Sequence, residues 1–367
     1  MKLKKKKYKK IVIFIPSIEF GGVEKNFYIL INYLKKIYPQ IFIVTSSKLT
    51  KKIDKQKIKV INPKISFWYH KSRFFKNIIS SFLLIKNFKK KDILIISFQA
   101  NIFSIILSKL MNWQVIIRLN TSPEKYINNT FKMFFFKFFY NLSNEIIVNS
   151  FEFKKNLKTI FNFNSTVILN PILKKKIKKN RINFFKNFKG LKIINIARLT
   201  DQKDHLTLLR TVKMISEKNK MNFKLLIIGR GKNFQTLQNF IIENKLKKKV
   251  FLCGYKKDAE QYLSYSDLFI LTSKFEGLPN TLIEAQSAKL PIISSDCPSG
   301  PKEILLNGKL GILFKTGSYT DLYKKILHFN NNKIKYKTKA VLAQKFLSRF
   351  DYKTNLSKYN KIINKYI

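Results

Sequence analysis

The chain has 367 residues, 45% of them hydrophobic. That is too apolar for a disordered chain and long enough for two packed domains, since single cores stop growing near roughly 250 to 300 residues. Its two cysteines, Cys253 and Cys297, exclude a disulfide-stapled scaffold, and no Cys/His spacing resembles a metal site, so a reducing cytoplasm is expected. The formal charge of +53, from 73 Lys plus Arg against 20 acidic residues, implies polyanionic company: nucleic acid, anionic lipid or phosphorylated substrates. Lys, Asn, Ile and Phe are abundant together, which also reads as an AT-rich coding bias.

The opening "MKLKKKKYKKIVIFIPSIEF" has the basic start of a signal peptide. Its apolar run is short, contains Pro16 and enters a Gly-Gly turn, so a buried first strand is expected instead. The runs IFSIILSKLMNW and MFFFKFFYNL each carry a Lys and fall short of the about 18 residues a spanning helix needs, and no transmembrane helix is predicted. Along the chain IVIFI (11–15), IFIV (41–44), ILIIS (93–97), VII (115–117), EIIV (145–148) and TVIL (166–169) read as buried strands separated by amphipathic segments. This is the alternation of a parallel sheet covered on both faces.

A second series follows: KIINIA (192–197), KLLIIG (224–229), VFLCG (250–254), LFILT (268–272), PIIS (291–294) and GILF (311–314). Between the series, Asn170-Pro171 stops a strand and a Lys-rich stretch runs to Gly190. The expected fold class is α/β, two doubly wound Rossmann-like domains facing a cleft, with the N-terminal domain over 1–175 and the C-terminal domain over 188–350. The last helical patterns, 335–348 and 352–366, can pack on either domain, and 351–367 is set apart as a closing helix that can return to the N-terminal one. Ligands of such sheets bind at the carboxyl ends of the strands.

The chemistry-bearing residues fall at those ends. Gly21 and Gly22 open the first helix, where bare backbone admits a ligand to free N–H groups, or where the chain merely turns. In "NIARLTDQKDHLTLLRTV", Arg198 lies at a strand end and Lys203 at the start of the next helix, a fork and a point charge suited to a diphosphate. His205 reads as an ordinary helix residue rather than a base. Gly229 and Gly231 follow a strand but lack the third glycine of a dinucleotide fingerprint, leaving a nucleotide-proximal loop or a plain turn. The strongest signal is "KFEGLPNTLIEAQSAKLPIISSDCPSGPKEIL" (274–305), where a turn through Gly277 and Pro279 leads into a helix. Glu276 sits before that helix and Glu284 just over one turn inside it. A carboxylate there accepts from sugar or ribose hydroxyls and would repel phosphate; the plainer readings are a dipole-complementing acid and a solvated helix residue.

Gly21-Gly22-x-Glu24, Arg198 with Lys203, FEGLPNTLIEA and SSDCPSGPKEILLNGKLGILF together resemble glycosyltransferase family 4, retaining nucleotide-sugar enzymes of the GT-B fold. The resemblance spans nearly the whole chain, and SSDCPSGPKEIL is similar to bacterial enzymes that add hexose or N-acetylhexosamine units to lipid-linked glycans. It implies that Arg198 and Lys203 neutralise the departing diphosphate, Glu276 contacts the transferred sugar and Glu284 holds the ribose hydroxyls. The backbone N–H groups from Asn280 onward, Thr281 included, would face the phosphates, Gly277, Leu278 and Pro279 would belong to the same donor site, Gly229 would lie near the nucleotide, and Gly21 and Gly22 would line the acceptor side. It also implies a UDP-linked donor as substrate, no metal and no other cofactor. Many members place a His in the N-terminal domain near the reacting sugar; this chain reads "IISFQANIFSIIL" there, with Gln99 or Asn101 in that neighbourhood and Arg118 and Asn120 after the next strand.

"WYHKSRFFKNIISSFLLIKNFKKKD" (68–92) and "INNTFKMFFFKFFYNLSN" (127–144) interleave Phe with Lys. A basic helix with an aromatic face can lie on an anionic bilayer; the plainer reading turns the Phe side chains to the sheet. The expected enzyme is therefore a hexosyltransferase with a nucleotide-sugar donor and a saccharide or lipid-linked saccharide acceptor, peripheral on the inner face of the cytoplasmic membrane. A nucleotide-sugar epimerase of the same architecture is the near alternative. A basic nucleic-acid-binding protein is the rival of a different class, motivated by charge alone, and no RNA-binding aromatic motif or zinc finger supports it.

Overall fold

A computed structural model of the chain describes residues 10–19, 21–49, 58–89, 93–121, 129–172 and 183–367. The basic start (1–9), most of the Lys-rich stretch after Pro171 (173–182) and the edges of the two Phe/Lys segments (90–92, 127–128) lie outside the described residues. The chain divides into two compact units, 1–171 with 352–367, and 172–351.

The first unit carries seven parallel strands: β1 (Lys10–Phe14), β2 (Ile41–Val44), β3 (Ile58–Ile61), β4 (Ile93–Ser97), β5 (Gln114–Leu119), β6 (Glu145–Val148) and β7 (Thr166–Val167), in the order β3-β2-β1-β4-β5-β6-β7. Its helices are α1 (Gly22–Leu34), α2 (Arg73–Asn87), α3 (Asn101–Leu110), α4 (Thr130–Asn141) and α5 (Phe151–Phe161). Strands β1, β2 and β4 are buried at every apolar position, as a sheet covered on both faces requires. Strand β3 is absent from the sequence-predicted set. It lies at the sheet edge, pairs only with β2 and carries exposed Lys59, so it lacks the continuous apolar run that marks the central strands.

The second unit carries β8 (Leu191–Ile196), β9 (Phe223–Ile228), β10 (Val250–Leu252), β11 (Leu268–Leu271), β12 (Ile292–Ser295) and β13 (Ile312–Phe314), all parallel, in the order β10-β9-β8-β11-β12-β13. Around them lie α6 (His205–Glu217), α7 (Phe234–Glu243), α8 (Asn280–Ser287), the short α9 (Pro301–Ile304), α10 (Tyr319–Asn331) and α11 (Lys333–Ala343). The last helix, α12 (Tyr352–Ile363), packs in the first unit, where Leu356, Tyr359, Ile362 and Ile363 join the core around β1, β2 and α1. Each sheet reverses its order beside its first strand: β1 stands between β2 and β4, and β8 between β9 and β11. Doubly wound sheets open a crevice at such a reversal, at the carboxyl ends of the flanking strands.

Candidate functional site

In the second unit the reversal lies between β8 and β11, which pair through Leu268↔Ile193 and Phe269↔Ile194. Arg198 follows the end of β8 and Glu276 the end of β11, so two segments far apart in sequence stand at the carboxyl end of neighbouring central strands. The chain after β8 turns through a 3-10 segment, Asp201–Lys203, before α6 begins at His205. Lys203 therefore precedes the helix rather than opening it.

Lys203 Nζ and Glu276 Oε1 form an ion pair whose side chains are 14% and 7% exposed. Ser273 Oγ donates to the same Oε1 at 2.6 Å, while Oε2 takes no hydrogen bond from a described residue. A carboxylate oxygen has acceptor capacity to spare there, and a lysine ammonium has three donors of which Oε1 uses one. The pair is held by backbone on both sides. Thr272 Oγ1 donates to Lys203 O at 2.9 Å, Gln202 Nε2 donates to Phe275 O at 2.9 Å, and Lys274 N donates to Gln202 O at 2.8 Å.

A second loop, after β12, clasps the first. Glu276 N donates to Pro298 O at 2.8 Å, Ser299 N to Glu276 O at 3.3 Å, and Ser295 Oγ to Ser273 O at 2.7 Å. Gly300 has φ +93, and a Cβ built on it would stand 2.2 Å from Gly277 O, so only glycine lets the two loops meet this closely. Ser273, Ser299 and Gly300 were not among the sequence-predicted site residues; the Pro-Ser-Gly-Pro spacing pointed at Ser299 and Gly300, and the end of the LFILT strand at Ser273. Cys297 is buried on the same loop, and burial, then the nearby Glu276 charge, push its thiol up to about 12. It stays protonated at neutral pH and serves packing, since the thiolate is the reactive form.

Leu278 and Pro279 are buried, and α8 starts directly after Pro279, whose backbone is extended. The end of a helix that carries positive partial charge, at Asn280 and Thr281, thus follows within one turn of Glu276. Glu284 lies one turn further along α8 and is half-buried, between Ile283 and Ala285 of the buried face. Gly229 directly follows β9, with a Cβ position 1.8 Å from Ala197 O, and Gly231 has one 2.2 Å from Leu199 O. Close approach of the β8 loop therefore accounts for both glycines. A concavity of about 580 Å³ opens beside the clasp, lined by Asp296, Pro298, Leu313, Phe314, Lys315 and Thr316, and shares only Pro298 with it.

His205, the first residue of α6, is buried, and its Nε2 lies 3.0 Å from Asn195 Oδ1. Asn195 Nδ2 donates to Ile270 O at 2.8 Å, so its oxygen accepts and His205 Nε2 carries the proton. Burial, then the Lys203 charge, lower its pKa to about 4. The residue is a neutral core imidazole joining β8 to β11.

In the first unit, Gly21 caps α1 in an extended conformation open to any residue, and both Gly21 and Gly22 are exposed. Gln99 Oε1 accepts from Ser17 N at 3.2 Å, and Asn101 Oδ1 accepts from Ser97 Oγ at 2.8 Å. Arg118 is buried, with Nε on Asn120 Oδ1 at 3.0 Å, Nη2 on Asn170 Oδ1 at 2.7 Å and Nη1 on the Tyr359 hydroxyl. Among the described residues no group of three His, Cys, Asp or Glu could hold a metal ion, and no helix is long and apolar enough to cross a membrane.

Positions 176–345 match the family described as Glycosyl transferases group 1. An uncharacterized glycosyltransferase of Methanocaldococcus jannaschii is 32% identical over 333 residues, 80% of this chain and 81% of that protein. The N-acetylgalactosamine-N,N'-diacetylbacillosaminyl-diphospho-undecaprenol 4-alpha-N-acetylgalactosaminyltransferase of Campylobacter jejuni is 27% identical over 170 residues, so the match spans 46% of each chain, about half its length. The crystal structure of HepE from Anabaena in complex with UDP and glucose superimposes with a TM-score of 0.76 at 16% identity, over 98% of this chain and 100% of that one. The chain belongs to the group 1 glycosyl transferases, and its two parallel-sheet units have the GT-B fold.

Proposed function

We propose that the chain is a retaining glycosyltransferase that moves a hexose or N-acetylhexosamine from a UDP-sugar to a lipid-linked saccharide at the inner face of the cytoplasmic membrane. The observation that carries the reading is the Lys203–Glu276 pair at the β8/β11 reversal, with Glu276 Oε2 left to accept and Lys203 left with donors to spare. A cation and an acid so placed divide an activated sugar between them, the ammonium toward its phosphates and the carboxylate toward its hydroxyls.

In this reading the bond from the anomeric carbon to the diphosphate breaks with its electron pair going to the phosphate oxygen, and the acceptor oxygen bonds to that carbon on the face the diphosphate leaves, its proton passing to the departing phosphate oxygen. Arg198 and Lys203 neutralise the charge that develops on the leaving group, as the start of α8 does through the backbone N–H groups of Asn280 and Thr281. Two fixed cations take the part a metal would otherwise play. Glu276 orients the sugar and Glu284 the ribose. The donor assignment is supported by UDP and glucose in the HepE crystal, and the acceptor assignment by the diphospho-undecaprenol in the name of the Campylobacter jejuni relative.

Thermal-shift measurements with UDP, GDP and their sugars at moderate salt test the donor site. A ligand at about 100 times its dissociation constant stabilises the fold by roughly 2.7 kcal/mol. A UDP species should shift the parent and lose its shift in Arg198→Ala; no shift with any nucleotide removes the reading. The anomeric configuration of the product, read by NMR against that of the donor, tests retention.

A further inference from the structure

We infer that the helices α2, α3 and α4 form a face that docks on an anionic lipid bilayer. Right-handed crossovers between β3 and β4, β4 and β5, and β5 and β6 place these helices on one side of the first unit's sheet, and α3 packs against both α2 and α4. The plainer reading, burial of their phenylalanines against the sheet, does not hold. The 15 residues of α2 bury only Ser80, Ser81 and Leu84, and the 12 residues of α4 bury only Tyr140. Phe131 is 77% exposed, Phe82 63%, and Phe74, Phe134 and Phe138 lie in the same range, with Leu110 of α3 between the two helices at 69%.

An exposed patch of this kind marks an interaction surface, and charge chooses its occupant. No Asp or Glu occurs in α2, α3 or α4. Exposed Lys86, Lys109, Lys132 and Lys137 stand among the aromatic side chains instead. At the edge of the face Lys71 lies 4.0 Å from the Phe67 ring centroid, and the Arg73 guanidinium is paired with Glu19. A second copy of the chain would bring the same cations against these and be repelled. Aromatic rings that enter a headgroup layer, with lysines reaching anionic lipid around them, satisfy both features. The inference rests on the proposed lipid-linked acceptor for its purpose, but its geometry belongs to the first unit alone.

Full-length protein is sedimented with vesicles of phosphatidylcholine alone or mixed with phosphatidylglycerol. Binding to the anionic vesicles, weakening with salt, is expected. The combined Phe74→Ser, Phe82→Ser, Phe134→Ser and Phe138→Ser variant should bind on the order of a hundredfold more weakly, with its thermal shift by UDP unchanged, which shows that the fold survives. Lys132→Gln and Lys137→Gln should each cost about fivefold. The inference is overturned if the parent does not sediment, if the serine variant sediments equally, or if the parent is a dimer that those substitutions dissociate. Vesicle binding that is lost in the variant, in a parent that no nucleotide shifts, would support the face and remove the donor-site reading.

Discussion

Lys203 and Glu276 are 73 positions apart and meet as a nearly buried ion pair, with Ser273 donating to the same carboxylate oxygen. Each charge is there because the other is: removing one partner of a buried pair leaves the other desolvated, at a cost of about 3–5 kcal/mol. Lys203→Met and Glu276→Gln should each lower the urea midpoint markedly. The double variant should lose less than the two singles together, because it leaves no unpaired charge. All three should fail in sugar transfer, so that the double variant separates stability from turnover. Additive stability losses would mean that the pair carries no coupling.

Gly300→Ala should act on the donor site without touching a charged group. The new methyl would stand 2.2 Å from Gly277 O at a backbone angle of φ +93, so the loop after β12 must retreat and release the hydrogen bonds between Pro298, Ser299 and Glu276. A loss of about 2 kcal/mol or more in thermal or urea unfolding is expected, together with weakened binding of UDP in the thermal-shift assay. Parent-like UDP binding would show that the clasp does not hold Glu276 in place.

The two sheets were legible because central parallel strands are buried on both faces and leave continuous apolar runs; IFIV, ILIIS and EIIV match β2, β4 and β6 residue for residue. β3 was not, because one side of an edge strand is solvated and Lys59 interrupts its pattern. At the site, Glu276 and Arg198 could be singled out because a strand end followed by a turn is visible in sequence. Lys203 was singled out with them, but what it pairs with was not. The pairing of Lys203 with Glu276, and the contact of Gly300 with Gly277, depend on β8 lying beside β11, and a single sequence carries no strand order. Gly229 shows the converse: its place after a strand left a nucleotide-proximal loop and a plain turn both open, and the Ala197 carbonyl gives glycine a packing reason that the sequence did not show. The aromatic helices were ambiguous because α4 has phenylalanine on every side, so no period separates a core face from a surface one.

Arg118 ties the end of the chain to the first unit. Its guanidinium is buried on three neutral acceptors, Asn120, Asn170 and the Tyr359 hydroxyl, the last carried by α12, and its carbon lies 5.5 Å from the Phe98 ring centroid. Tyr359→Phe removes one acceptor from a buried cation and should cost about 1–3 kcal/mol. Arg118→Lys should cost more, because an ammonium cannot reach three acceptors spread around a planar fork. Unfolding monitored in urea checks both. A Tyr359→Phe variant as stable as the parent would mean that α12 is held by its apolar residues alone.

His205 gives the pH response. Its ordinary pKa is about 6.5 and burial lowers it to about 4 in the folded chain, so between these values the unfolded state binds a proton that the folded state does not. The neutral imidazole's contribution is complete above about pH 6.5 and is lost progressively as the pH falls toward 4, with a ceiling of about 3 kcal/mol. His205→Gln can still donate to Asn195 Oδ1 but does not titrate. Urea midpoints measured for parent and variant from neutral pH downward should therefore converge, with the parent falling more steeply through that window while the carboxylates contribute equally to both. Parallel curves would mean that the folded imidazole takes up its proton over the same range as the unfolded one, so that burial does not hold it neutral.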